Sequence, residues 1–98
     1  MATLRFEWDP GKNAANIRKH GVSFEEAESV FYDEHAVLID DPDHSGEEDR
    51  FVMLGVSSRL RVLVACHCYR SGGVIIRLIS ARRASRQERE TYRLRWRA

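Results

Sequence analysis

Apolar positions along this chain change their period twice, which divides it into a helical, an extended and again a helical part. After Arg5 to Trp8, four residues that could add an edge strand but are short for one, Ala14, Ala15 and Ile17 alternate with Lys12, Asn16 and Lys19-His20 in a three-turn amphipathic pattern. Asp9-Pro10 opens that helix with an acceptor side chain at the N-cap and a proline where a missing N–H costs nothing, and Gly21 closes it. Ser23-Phe24-Glu25-Glu26 then has the form of a capping box, with Val22 placed to staple against Ala27 and an apolar stripe of Ala27, Val30 and Phe31. From His35 the period falls to two, with Val37 and Ile39 on one side and Ala36 and Leu38 on the other. Phe51 to Ser57, Leu60 to Tyr69 and Val74 to Ala81 read as three more strands rich in Val, Leu and Ile. The short breaks Ser57-Ser58-Arg59 and Arg70-Ser71-Gly72-Gly73 make them antiparallel hairpins. A second capping box, Ser85-Arg86-Gln87-Glu88, starts a last helix that runs toward Trp96. The pattern predicts an α+β domain: an antiparallel sheet of about four strands, two N-terminal helices packed on it and one C-terminal helix.

Size narrows the picture. The 98 residues fit one domain and leave no room for a second. A core this small leaves a thin margin of stability, which makes a covering partner a reasonable expectation. The longest apolar runs, Val62 to Cys66 and Val74 to Ile76, fall far short of the roughly 20 residues of a membrane span, and Met1 to Trp8 lacks the apolar core of a secretory signal. The expectation is a cytoplasmic protein with no membrane partner. Cys66 and Cys68, two apart in an apolar run, read as buried free thiols at the limit of disulfide reach.

The net charge of +1 conceals a division. Residues 1–50 carry 5 basic and 13 acidic side chains, net −8, and residues 51–98 carry 11 arginines against 2 glutamates, net +9. All eleven of those cations are arginine, the side chain that grips phosphate in a planar fork. Eight lie in residues 77–98, and Arg83, Arg86, Arg89 and Arg93 there are candidates for binding the phosphates of a nucleic acid. Arg89, Arg93 and Arg97 repeat at a spacing where like charges repel, a cost that an anion would offset. The same arginines would equally suit an acidic protein.

Other candidates have competing structural explanations. His67, in mid-strand with Arg61, Leu63, Ala65 and Tyr69 on the more polar face, could move a proton near neutral pH or be a satisfied core histidine. Lys19 and His20 sit where a helix dipole favours cations, and Glu88 is already explained as the third position of a cap. Trp8, Tyr92 and Trp96 could stack on bases or pack in the core. Cys66-His67-Cys68 is no metal site, because alternation sends sulfurs and imidazole to opposite faces. The acidic stretch Asp40 to Asp49 lacks the order of a calcium loop and reads as a solvated turn. No phosphate-cradling glycine loop or nucleophile elbow occurs, so neither a metal nor a cofactor is expected.

Taken in order, Phe6-Glu7-Trp8-Asp9, Lys12, Asn16, Lys19-His20-Gly21-Val22-Ser23-Phe24-Glu25-Glu26-Ala27 and Arg77-Leu78-Ile79-Ser80-Ala81-Arg82-Arg83-Ala84-Ser85, with Glu88 and Tyr92, resemble the BrnT family across nearly the whole chain. That resemblance implies a RelE-like fold and a toxin that cleaves RNA. It also implies a cognate, BrnA-like antitoxin with a ribbon-helix-helix DNA-binding domain, so that operator DNA is met only through the antitoxin. Metal-free RNA cleavage needs a base, an acid and fixed cations for the charge developing on phosphorus. Arg77 and Arg82 suit the last role, and Lys19, His20 or His67 could handle protons, with nothing in the sequence to choose among them. One difficulty is geometric: residues five apart on an unbroken strand face opposite sides, so Arg77 and Arg82 converge only if the chain bends near Ser80. The competing function is a basic module that grips nucleic acid or an acidic protein without cutting.

Overall fold

The computed structural model describes residues 4–40 and 50–96; residues 41–49 of the acidic stretch, and Arg97 of the arginine row, lie outside it. One sheet of five strands organises the chain, in the spatial order β1 (Arg5–Glu7), β5 (Ile75–Arg83), β4 (Val62–Arg70), β3 (Phe51–Val56), β2 (Val37–Asp40). β2 to β5 pair antiparallel in succession, β3 with β4 and β4 with β5 across short connections. β1 differs: it runs parallel to β5, with Arg5 opposite Ile75 and Glu7 opposite Arg77. The sheet is therefore mixed and five-stranded rather than antiparallel with about four. Three residues whose partner is the last strand of the sheet leave almost no local signal, and the helices between β1 and β2 carry the chain across to make the parallel pairing possible.

Helices α1 (Pro10–His20), α2 (Phe24–Ser29) and α3 (Arg86–Trp96) begin where the caps indicate. The Asp9 carboxylate accepts from the Gly11 N–H, and Gly21, at φ 69°, ends α1 by donating its N–H to the Ile17 carbonyl at 2.8 Å. α2 is short and tightens into a 3₁₀ turn, Val30–Tyr32. Its apolar side supplies Phe24, Ala27 and Val30, which with Val22 close over Leu63, Ala65, Ile76, Leu78 and Ala81 on one sheet face. The opposite face holds Leu54, Val64, Ala84 and Tyr92, rimmed by Val37, Val52, Val56 and Val62. There α3 rests on the sheet through Tyr92.

Three polar joints lock these layers. The buried Glu26 carboxylate takes Arg61 by two of its nitrogens and the Ser57 hydroxyl at 2.7 Å, while Arg61 also donates to the Gly21 carbonyl at 3.1 Å. Ser23 caps α2 as expected, accepting from the Glu26 N–H, but the Glu26 side chain turns to Arg61 instead of closing the box. The Asp33 carboxylate accepts from the Tyr92 hydroxyl, from the Val56 N–H at 2.9 Å and from the His35 N–H at 3.0 Å, joining α3 to the rim of the sheet. Gly55 permits that joint, because a Cβ there would lie 3.0 Å from Val30 Cγ1 and 3.1 Å from Asp33 Oδ2. Asn16 makes the third. β1 covers only residues 75–77 of β5, and beyond it the Asn16 carboxamide accepts from the Ala81 N–H at 3.1 Å and donates to the Ala81 carbonyl at 2.8 Å, as a neighbouring strand would.

Candidate active site

β5 resolves the difficulty with the arginine spacing. In its register with β4, Ser80 lies opposite Cys66 and Leu78 opposite His67, so Ile79 is an extra residue, a bulge. On an unbroken strand their five steps would turn Arg77 and Arg82 opposite ways. With the bulge Arg77 lies opposite Cys68 and Arg82 opposite Val64, two residues of β4 that share a face. Both arginines therefore stand on the face that carries α3, four β4 positions apart, about 13 Å at 3.3 Å per residue. Between them lie the exposed Ser80 and the half-buried Cys66.

Each arginine is held by a carboxylate. Arg77 lies 3.2 Å from Glu7 Oε1, its cross-strand neighbour on β1, an oxygen that Arg70 also approaches at 3.0 Å. Arg82 makes a two-pronged contact with Glu88, Nη1 to Oε1 at 2.7 Å and Nη2 to Oε2 at 2.9 Å. Glu88 is fixed in turn: the Ser85 N–H donates to its Oε1 at 2.8 Å and its own N–H donates to Ser85 Oγ at 3.1 Å, so this capping box is complete. The Arg82 guanidinium, which outweighs partial burial, holds the Glu88 carboxyl down at about 2.

Of the arginines downstream, Arg83 ends β5 opposite Leu63, a residue of the covered face, and Arg86, Arg89 and Arg93 follow the path of α3. Arg83 and Arg86 are exposed, Arg89 anchors one nitrogen on the Ala84 carbonyl at 3.0 Å, and Arg93 forms a fork with Glu90. Arg86, Arg89 and Arg93 edge an open groove of about 550 Å³ floored by Val56, Val62 and Tyr92. Tyr92 is thus a packing residue, and the Trp8 ring packs edge-on against Phe24.

His67 is placed otherwise than its strand pattern suggests. The face read as the more polar one is the face covered by α2, and His67 is wholly buried there, its ring edge-on to Phe31 at 4.7 Å. Its Nδ1 faces the Ala65 carbonyl at 3.1 Å and its Nε2 the Tyr69 hydroxyl at 3.2 Å, an arrangement that suits a neutral ring donating from Nδ1 and accepting at Nε2. Burial lowers its pKa in the same direction. The sheet separates this imidazole from Arg77 and Arg82, so the structure does not bring it to the arginine face. What misled the alternation was Arg61, a polar residue on a covered face because a buried glutamate awaits it. Lys19 is exposed and His20 half-buried at the end of α1, and no hydrogen bond or ion pair joins either to Arg77 or Arg82. Glu7 and Glu88, the residues that hold the two arginines, were legible only as an edge-strand residue and a cap.

Among the described residues no group of three or more His, Cys, Asp or Glu side chains is placed to share a metal ion, and no helix is long and apolar enough to cross a membrane. Residues 8–88 match a family described as "Ribonuclease toxin, BrnT, of type II toxin-antitoxin system". Among solved structures, the 1.1 Å crystal structure of the Brucella abortus ribonuclease toxin BrnT is similar, with 26% identity and a TM-score of 0.65 over 86% of this chain and 100% of that one. A search of curated proteins finds no match.

Proposed function

This chain belongs to the BrnT family of ribonuclease toxins of type II toxin-antitoxin systems, and from that premise we propose that it cleaves RNA without a metal ion on the open part of the sheet face shared with α3. The observation that carries the reading is the bulge at Ile79, which sets Arg77 and Arg82 on one face. Two fixed guanidinium groups are suited to the charge that builds on phosphorus as the 2′-oxygen attacks, and removing one such group typically costs on the order of 10² to 10³ in rate. Arg86, Arg89 and Arg93 extend the positive surface along which the rest of the RNA strand is held, while Arg83, opposite Leu63, stands on the other side of β5. Of the proton carriers, Lys19 and His20 are the accessible pair, while His67 serves the aromatic core.

Cleavage of this kind halts translation and growth, and a cognate ribbon-helix-helix antitoxin covers the toxin and ties the pair to operator DNA. The purified chain cleaves an oligoribonucleotide in excess chelator, and adding its antitoxin stops cleavage. Activity abolished by chelation and restored by one divalent ion would overturn the metal-free reading. Binding without any cleavage, with or without added divalent ions, would instead favour a basic module that only grips RNA.

A further inference from the structure

Arg77, Arg82 and Arg93 each have a carboxylate partner, but the partners are not equivalent. Glu7 meets Arg77 through one oxygen at 3.2 Å and shares that oxygen with Arg70. Glu90 forks Arg93 from the neighbouring turn of the same helix, with both side chains more than half exposed. Glu88 takes Arg82 with both oxygens and is itself pinned by the backbone of Ser85. We infer that Glu88 is the positioning residue of the site: it holds the Arg82 guanidinium in one plane so that its unused edge is presented to a phosphate. This inference rests on the reading of that face as an RNA-cleaving site.

The donor inventory supports it. A guanidinium has five N–H groups in a rigid fork. Glu88 takes one from Nη1 and one from Nη2, and the other Nη1 hydrogen points toward the Arg83 carbonyl, 3.3 Å away. The Nε–H and the second Nη2 hydrogen remain, side by side along one edge, which is the spacing that two phosphate oxygens match. An unheld arginine near the end of a strand loses rotamer freedom only when substrate arrives, whereas one already held has lost it beforehand. Glu88 lowers the net charge at Arg82, which works against binding. A positioning role therefore shows in the rate of the bound complex, and a screening role shows in affinity.

Helix capping must be separated from positioning, and the two halves of the capping box allow that. Glu88→Gln keeps an oxygen for the Ser85 N–H but loses the charged fork on Arg82; Ser85→Ala removes the hydroxyl that accepts the Glu88 N–H and leaves the fork intact. The experiment is single-turnover cleavage of an end-labelled oligoribonucleotide by the full chain, with affinity measured separately. Glu88→Gln lowers the saturated rate by on the order of ten- to a hundredfold while RNA affinity holds or tightens, and Ser85→Ala stays within about twofold of the unaltered chain. A Glu88→Gln chain with an unchanged rate and tighter binding overturns the inference in favour of screening, and Ser85→Ala falling as far as Glu88→Gln overturns it in favour of capping. If the chain cleaves RNA but Arg82→Ala is fully active, the site lies elsewhere and the inference falls while the ribonuclease assignment stands. A readout independent of activity is the Arg82 Nε–Hε heteronuclear NOE, rigid in the unaltered chain and in Ser85→Ala, averaged in Glu88→Gln. A mobile Arg82 side chain in the unaltered protein overturns the inference whatever the RNA does.

Discussion

The two faces of the sheet are built from the same strands, and they differ in what closes them. Under α2 the apolar side chains meet without remainder: Val22, Phe24, Ala27, Val30, Leu63 and Ala65 are each fully buried, and the polar groups there, Glu26 and His67, are bonded. Under α3 the seal is local. Tyr92 and Ala84 close over Leu54 and Val64, and beyond them the face carries Arg77, Arg82, Ser80 and Cys66. One face is spent on stability, and the other is left open at the point where a bulge has gathered cations. A small domain can hold a charged site because half of its sheet does nearly all of the packing.

The largest expected effect tests the closed face. Phe24→Ala destabilises the chain by about 3 to 5 kcal/mol in urea unfolding and leaves the cleavage rate per folded molecule unchanged. Equal loss of rate per folded molecule would break the division between the faces. Next come the open-face arginines: Arg82→Ala or Arg77→Ala lowers the single-turnover rate by on the order of 10² or more, with RNA affinity falling much less and the unfolding midpoint little altered. Asn16 sharpens the contrast because it belongs to neither face alone. It stitches α1 to the strand edge at Ala81, next to Arg82, and also donates to the Val22 carbonyl, so Asn16→Ala removes the partner of three buried backbone groups, costs about 1 to 3 kcal/mol and also slows cleavage. A loss of stability with cleavage untouched would show that the edge stitch does not reach the site.

Acid separates the faces more gently. Arg61 holds the Glu26 carboxyl below its ordinary 4.5 against the opposing pull of burial, and Arg82 holds Glu88 at about 2. Both values are depressed by folding, so both carboxylates stabilise the native chain above about pH 4.5 and lose that contribution as pH falls through their folded values. Stability measured from pH 6 downward declines below 4.5, and Glu26→Gln removes part of the slope. The smallest change in rate belongs to the outer helix: replacing Arg89 and Arg93 together with alanine flattens the salt dependence of RNA binding by up to about two phosphate equivalents and leaves the saturated rate nearly as it was.

Much of this arrangement is written locally and was legible. Asp9-Pro10, Gly21 and the Ser85 to Glu88 box act within one helical turn, so their residue types state their roles, and the β3–β4 and β4–β5 hairpins follow from alternation and short breaks. What stayed hidden depends on distant partners. β1 is three residues long and finds its register only against Ile75 to Arg77. Glu26 looked like a cap because nothing near it announces Arg61, and Arg61 made a covered face look polar, which left His67, grouped with the right neighbours, open to reading as a proton carrier. Asn16 had no reading beyond a polar helix position until the end of β1 exposed the edge at Ala81.

The bulge at Ile79 also determines which kinds of mutation this chain can absorb. Substitutions at that position alter one half-buried side chain, and losing the residue altogether leaves four steps on β5 against four on β4, with both arginines still on one side. What their common face depends on is where the extra residue is absorbed. A descendant whose bulge slipped beyond Arg77 or Arg82 would keep every residue in its sequence, run five alternating steps between the two, and send one arginine through to the covered face.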